Sequence, residues 1–450
     1  MALRKFIRVT LLLLAGLLIL AAAVWMWSRL QGPSPAQREA MALLQPSPLP
    51  EGRNAFDALW LLARDVPESG LRQVVTADMR RIRAELARSV DAVPSGPEHG
   101  AAARYRDLRP GVADMKLFCP HRGDCLQRVR ADPGGYAALV ERHRLLLDRV
   151  AALSGHDFYR SRLPLDVRAP LPQFTLARLG LTEAAQRYVS GDVDGGLARA
   201  CTGLRTWRRL GAHSDSLIVR MLGVALATDG YGRLLAQMLA ELPGDHPLPP
   251  ACDAALAPVA LQELSICEAM RGEYAANVAA TDVVRYRETG SVVDAMFGRL
   301  VYDPRQTRAL MAEDRVRACS EKAQSLLAAD RQLNWQEVPR SPWRMACAAN
   351  LAGCILADIA APAYVGYAWR AQDGGARLDL LRGVVSLHGG SGDGRAQEAA
   401  LRRFWAATRG SDRELRFVDG GRAVEVREFD GARGGWWQLP LPAAPIAQGN

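Results

Sequence analysis

From Val9 to Met26 the chain is apolar and uncharged, broken only by Thr10 and Gly16. About 17 to 25 such residues, wound as a helix, cross the hydrocarbon core of a bilayer. Arg4, Lys5 and Arg8 precede the run, and Trp25, Trp27 and Arg29 close it. Basic residues before a span hold that end in the cytoplasm, and tryptophans belong at the far interface. The reading is a single-pass anchor in contact with lipid over residues 9–27, with everything from Gln31 onward on the exported side of a bacterial inner membrane. The competing reading is a cleaved signal peptide, for which Ala21, Ala22 and Ala23 offer a small-residue processing site. The apolar run continues past that site, which favours a retained anchor.

Export sets the redox chemistry. The eight cysteines (Cys119, Cys125, Cys201, Cys252, Cys267, Cys319, Cys347, Cys354) form an even set, which in an exported chain points to disulfides. Cys119 and Cys125 flank a short loop carrying Pro120 and Gly123 and are the leading pair. Zinc held by Cys119, His121 and Cys125 would lack a fourth ligand at any standard spacing. In a helix, Cys347 and Cys354 would stand about 10.5 Å apart along the axis, beyond the roughly 7 Å that a disulfide spans. If Met345–Ile359 is helical they therefore cannot bond to each other; each could reach a cysteine on a facing helix, Cys267 or Cys319, or stay a small buried hydrophobe.

The formal charge of +9 rests almost wholly on arginine, since Lys5, Lys116 and Lys322 are the only lysines. The arginines alternate with acids, as in Arg83, Glu85 and Arg88, the pattern of a solvated helix face. Nucleic acid is not an expected partner outside the cytoplasm.

Beyond the anchor (residues 1–30) the chain divides into a Pro-rich stalk (31–52), a helical body (53–388), a helix with a small β-meander (395–439) and a tail (440–450). The stalk is interrupted by one amphipathic piece around Glu39–Leu44. Helical spacing marks a segment after Asn54, another opening at Thr76, and Tyr136–Leu153 with His143 on its apolar stripe as a core residue. Then follow Phe174–Val189, Val193–Leu210 and Ser216–Leu242. Further helical blocks cover Asp253–Val283 and Arg305–Asn334. Met345–Val365 is apolar enough to suggest a second span, yet Asn350, Asp358 and Pro362 argue for a core helix. His388–Gly394 reads as a flexible glycine-rich turn without the Lys-Ser/Thr of a phosphate loop. Leu415–Val418 and Ala423–Val426 flank Asp419, Gly420 and Gly421, a hairpin signal, with Trp436–Leu439 as a third strand. The fold class is mainly α: an N-terminal transmembrane helix, a helical-hairpin body and a small C-terminal antiparallel β-meander.

Asn350–Gly353, Ile359–Tyr367 and Arg377–Arg382, with Asn54–Asp57 and Ala269–Glu273, resemble segments of a loose group of uncharacterised bacterial proteins. That resemblance implies one N-terminal span, a helical exported body and a terminal meander. It brings no activity with it.

No GxSxG elbow, HExxH helix, Walker loop or dinucleotide fingerprint is present, and no cofactor is expected. The candidate catalytic carboxylates are Glu268 and Glu273, read with Glu263 and Arg271 on one helix. Glutamates five residues apart point about 140° away from each other, so pairing with arginines is the expected arrangement. Asp358, the third candidate carboxylate, stands alone among apolar residues, placed to accept hydrogen bonds from a neighbouring helix or to neutralise a buried arginine such as Arg370. Two functions follow: a membrane-tethered binding or scaffold module with an envelope protein partner, or a periplasmic hydrolase acting on envelope glycan through an unrecognised carboxylate site.

Overall fold

A computed structural model describes residues 2–88, 92–164, 166, 168–286, 298, 300–334, 344–388, 394–409, 413–431 and 434–442. Helix α1 (Ala2–Leu30) carries no acid in its first turn and ends on Arg29. Its side chains from Arg4 to Ala23 are exposed, and only its last turns touch the rest of the chain. Thr10 satisfies its hydroxyl on the Phe6 carbonyl within the helix. By length and apolar character α1 is long enough to span a membrane.

The stretch read as a stalk is bound to the body. Ser34 and Gln37 cap α2 (Pro35–Leu43) reciprocally, with Pro35 in the first turn. Gln37 then donates to Glu313 at 2.8 Å, and Ala40 and Leu44 are buried.

Most of the body closes on one large core. It opens with α3 (Phe56–Trp60), α4 (Leu71–Arg88), α5 (Val112–Leu117), α6 (Cys125–Ala131), α7 (Pro133–Arg142) and α8 (Arg144–Ala152). α4 begins five residues before Thr76. The expected helix over Tyr136–Leu153 is broken at His143, whose Nε2 lies 2.7 Å from the Asp114 carboxylate. A helical hairpin follows, α9 (Gly180–Val189) and α10 (Val193–Ala212). Gly191 turns it at φ +97°, and the Asp192 side chain caps α10 by accepting from the Gly195 amide. α11 (Leu217–Ala225) and α12 (Arg233–Glu241) are joined by a π-helical turn, Leu226–Gly232. That turn brings Tyr231 onto α10 at Gly203, where any Cβ would overlap the ring. α13 (Ala251–Ala255) closes the block.

A smaller core is built from α14 (Leu261–Leu264), α15 (Cys267–Tyr286), α16 (Pro304–Arg315) and α17 (Glu321–Ala328). The 36-residue helix α18 (Leu351–Ser386) belongs to both cores. Cys354, Ala357, Tyr364, Ala368 and Ala371 lie in the smaller core, and Ala376 to Leu387 contribute to the larger one. After α19 (Gly394–Arg409) come β1 (Leu415–Val418), β2 (Ala423–Arg427) and β3 (Trp436–Pro440), antiparallel in that order. Val424 opposes Leu439 and Val426 opposes Trp437, so alternate residues face the large core. The β1–β2 connection runs through Asp419, Gly420 and Gly421, all at positive φ. Of the glycine-rich turn, residues 389–393 lie outside the described residues, as do 443–450 of the tail.

Four disulfides are present: Cys119–Cys125, Cys201–Cys252, Cys267–Cys319 and Cys347–Cys354. The last corrects the expectation that Cys347 and Cys354 could not bond. Met345–Cys347 form a 3₁₀ turn, α18 starts only at Leu351, and the two Cα atoms are 6.0 Å apart. A continuous helix over Met345–Ile359 does not form. Asn350 stops it, because its Oδ1 accepts from the Asp303 amide at 2.8 Å and the Thr307 hydroxyl at 3.0 Å.

Candidate functional site

Glu263 and Glu268 do not share a helix, since Ser265 and Ile266 separate α14 from α15. Glu263 receives Arg208 through Nε at 2.7 Å and Nη2 at 2.8 Å. Burial alone would raise its pKa, but Arg208 and the Ala260 amide hold it below the ordinary carboxylate value. Glu268 sits in a denser knot. Arg160 Nη1 donates to it at 2.6 Å, Ser47 Oγ at 2.8 Å and Arg271 at 3.1 Å. Burial pushes against that set and loses, so Glu268 is also held low. Glu273 points elsewhere on α15. Its pKa is raised by burial, against the pull of the Arg315 charge. Glu268 and Glu273 therefore flank no common space.

Asp358 is half-buried near the start of α18. The suggestion that it neutralises Arg370 is corrected: twelve residues of helix separate the two by about 18 Å, and Arg370 Nε donates to Asp430 at 2.8 Å.

The carboxylate that sequence reasoning missed is Asp215, between α10 and α11. Burial raises its pKa to about 6, and the Glu268 charge adds to the rise against the Ser161 amide and Arg160. Arg160 Nε lies 4.0 Å from Asp215, so one guanidinium bridges an easily protonated acid and an ionised one. Two carboxyls with pKa values driven apart are the raw material of acid–base chemistry. Here both Asp215 oxygens face the Ser161 amide, at 3.1 and 3.3 Å. A polar residue just before the Leu217 stripe was the only sequence signal for it.

The second assembly is the exit of α1. Trp25 Nε1 donates to the Leu300 carbonyl at 2.7 Å, and Arg29 Nη1 to the Tyr302 carbonyl at 2.9 Å. Ser28 is buried, donating to the Ala346 carbonyl at 3.2 Å while accepting from the Ala349 amide at 3.1 Å. The last two turns of α1 are thus hydrogen-bonded to the segments around Leu300–Tyr302 and Ala346–Ala349.

Two ionic knots tie α18 to the meander. Arg413, 1% exposed, donates to Asp330 at 2.8 Å and to Asp373 at 2.6 Å. Asp373 also accepts from the Phe429 and Asp430 amides. Nearby, Asp229 of the π-turn accepts from Trp437 Nε1 at 2.8 Å and from Arg122 and Arg377, while Arg377 also binds Glu428. These cations hold Asp229 below the ordinary value against a larger burial effect, whereas burial dominates at Glu428 and raises it. Both knots are structural joints; the first is closed to solvent, and the second is open only at Arg122.

Among the described residues two open clefts stand out. One, about 450 Å³, lies between α6, α12 and the sheet, with Arg233, Gln237 and Arg422 on its wall. The Gln237 Oε1 there is buried without a hydrogen-bond partner. The other, about 500 Å³, is lined by Lys116, Arg128 and Arg178 beside Met115 and Phe118. Among the described residues no cluster of three His, Cys, Asp or Glu side chains is arranged to hold a metal ion.

No family model matches the chain, and no curated protein or solved structure matches it either.

Proposed function

We propose that the protein is a single-pass inner-membrane protein whose body lies on the exported side and works as a binding or scaffold module for an envelope protein. The observation that carries this is the contrast within α1. Arg4 to Ala23 are apolar and exposed apart from the flanking cations, whereas Trp25, Ser28 and Arg29 are hydrogen-bonded into the body. An apolar cylinder so exposed calls for lipid as its solvent. Arg4, Lys5 and Arg8 orient it with the N-terminus inside. Four disulfides suit an oxidising compartment. The two clefts are the surfaces offered to a partner: the one lined by Lys116, Arg128 and Arg178 is cationic, and the other sets Arg130, Arg233 and Arg422 against Asp124, Glu241 and Asp419.

The experiment for topology fuses a reporter active only outside the cytoplasm after Asn450 and washes the membranes at high salt. Reporter activity with retention supports the reading; an inactive reporter overturns it. Pull-down with the anchored full chain tests the module, and capture of a partner should weaken when Arg233 and Arg422 are changed together to Ser.

The hydrolase reading has one observation in its favour, the Asp215–Arg160–Glu268 arrangement. If that pair were catalytic, the full chain would digest envelope glycan and Asp215→Asn would abolish the digestion. Absence of digestion by the parent protein rejects it.

A further inference from the structure

Exposed apolar side chains on the body fall into two kinds. Val93, Val112 and Leu171 are scattered singly, as on any soluble surface. Leu300, Val301, Met345, Leu351, Ile355, Leu356 and Ile359 instead occupy two short stretches of chain, and Ile359 is 73% exposed. Leu351, Ile355 and Ile359 follow at steps of four along α18 and form one stripe. On the same turns Ala357, opposite the stripe, and Cys354, on its flank, are buried in the smaller core.

Both stretches are pinned to the last turns of α1. Trp25, within the final apolar turn, holds the Leu300 carbonyl, and Ser28, one turn later, holds Ala346 and Ala349. The Cys347–Cys354 disulfide then ties that 3₁₀ turn to the first turn of α18. The height of the apolar stretches is therefore fixed to the level where α1 ceases to be apolar. Asp358 lies at the rim of the stripe by helical phase, which suits the headgroup boundary and not the hydrocarbon centre.

We infer that this surface is a second membrane contact, in which the start of α18 and the helical residues Leu300 and Val301 lie in the interfacial layer of the exported leaflet. The inference rests on the anchor reading of α1. It makes the body a monotopic unit lying on the bilayer, held by apolar side chains beside the span, and not a domain on a free tether. The occupant is lipid, because the surface is continuous with the helix that lipid already surrounds.

The test places a photoreactive diazirine amino acid, one site at a time, in the full-length protein embedded in phosphatidylethanolamine–phosphatidylglycerol vesicles. The sites are Leu14 in α1, Ile355 and Ile359 in the stripe, and Leu171 on the body, which is exposed to much the same degree as Ile355. After irradiation, mass spectrometry reads lipid adducts. Adducts at 14, 355 and 359 with none at 171 are the expected result. Adducts at 14 but not at 355 or 359 would overturn this inference and leave the anchor standing. Adducts of 355 or 359 to protein would overturn it in favour of a docking surface for a protein. No adduct at 14 would overturn the anchor reading, and this inference with it.

Discussion

Around Trp207 and Tyr231 the larger core is filled by aromatic and aliphatic side chains that sequence spacing delivers to one place. The smaller core also buries apolar side chains, such as Leu264, Met270 and Leu310, but around Arg315 and Asn350 it buries polar groups among them. Arg315 is fully buried, donates to the Met311 carbonyl and the Tyr364 hydroxyl, and stacks its guanidinium 4.9 Å from the Tyr364 ring. Ser28, Asp303, Gln306, Thr307 and Asn350 are buried too, toward the start of α16. One core is stabilised by apolar area, which needs only water outside. The other closes also through directional contacts with α1 and α2, so its integrity depends on α1 being in place. α18 spans both, and the Arg413–Asp330–Asp373 knot sits where it passes from one to the other.

The strongest way to break that relation is Arg413→Leu. It leaves Asp330 and Asp373 buried without their shared cation, at a cost of about 5 kcal/mol. Denaturant unfolding of the detergent-solubilised full chain should shift to a lower midpoint and separate into two transitions. An unchanged single transition would mean the knot does not join the cores.

The long-loop disulfides sharpen the comparison because they close loops of nearly equal length, 51 residues in the larger core and 52 in the smaller. Chain entropy gives about 4 kcal/mol for each. Cys201→Ser/Cys252→Ser and Cys267→Ser/Cys319→Ser should each lose that much by the same unfolding assay. Only the second pair should also raise hydrogen exchange at Ala349. Equal exchange effects would erase the distinction between the cores.

Asp215, beside the smaller core, gives a pH signature. Its folded value of about 6 exceeds its ordinary 3.8, so the folded state binds this proton more tightly. The group's contribution is fully present below pH 3.8 and is lost as pH rises through 6. The slope is at most about 1.4 kcal/mol per pH unit. Stability of the parent relative to Asp215→Asn should fall across that window, and a flat difference would refute the assignment.

The smallest change is Ser28→Ala, worth about 1 kcal/mol for hydrogen bonds lost at a buried hydroxyl. Faster exchange at the Ala349 amide, with the larger core unaffected, is the expected reading. No change at that amide would contradict the built-in exit of α1.

What the sequence made legible follows this same division. The apolar run of α1, the α9–α10 hairpin around Gly191 and Asp192, and the meander at Asp419–Gly421 are local patterns of period and turn chemistry. The smaller core depends on contacts across hundreds of residues, such as Ser28 with Ala349, which no periodicity encodes. Met345–Ile359 looked like one helix because it is apolar apart from Asn350 and Asp358 and holds no proline. The Asn350 hydrogen bonds that divide it come from α16 and the turn before it. Arg370 lay too far along α18 for Asp358 and found Asp430 of the meander. Glu263 and Glu268 appeared to share a helix because the break at Ser265 and Ile266 carries neither glycine nor proline.

The central claim, that α1 stays in the membrane as part of the folded protein, is tested most directly by the intact mass of the chain recovered from salt-washed membranes. The account predicts a membrane-bound protein that retains residues before Ala23 and loses eight protons to four disulfides. A soluble chain beginning after Ala23 would contradict it.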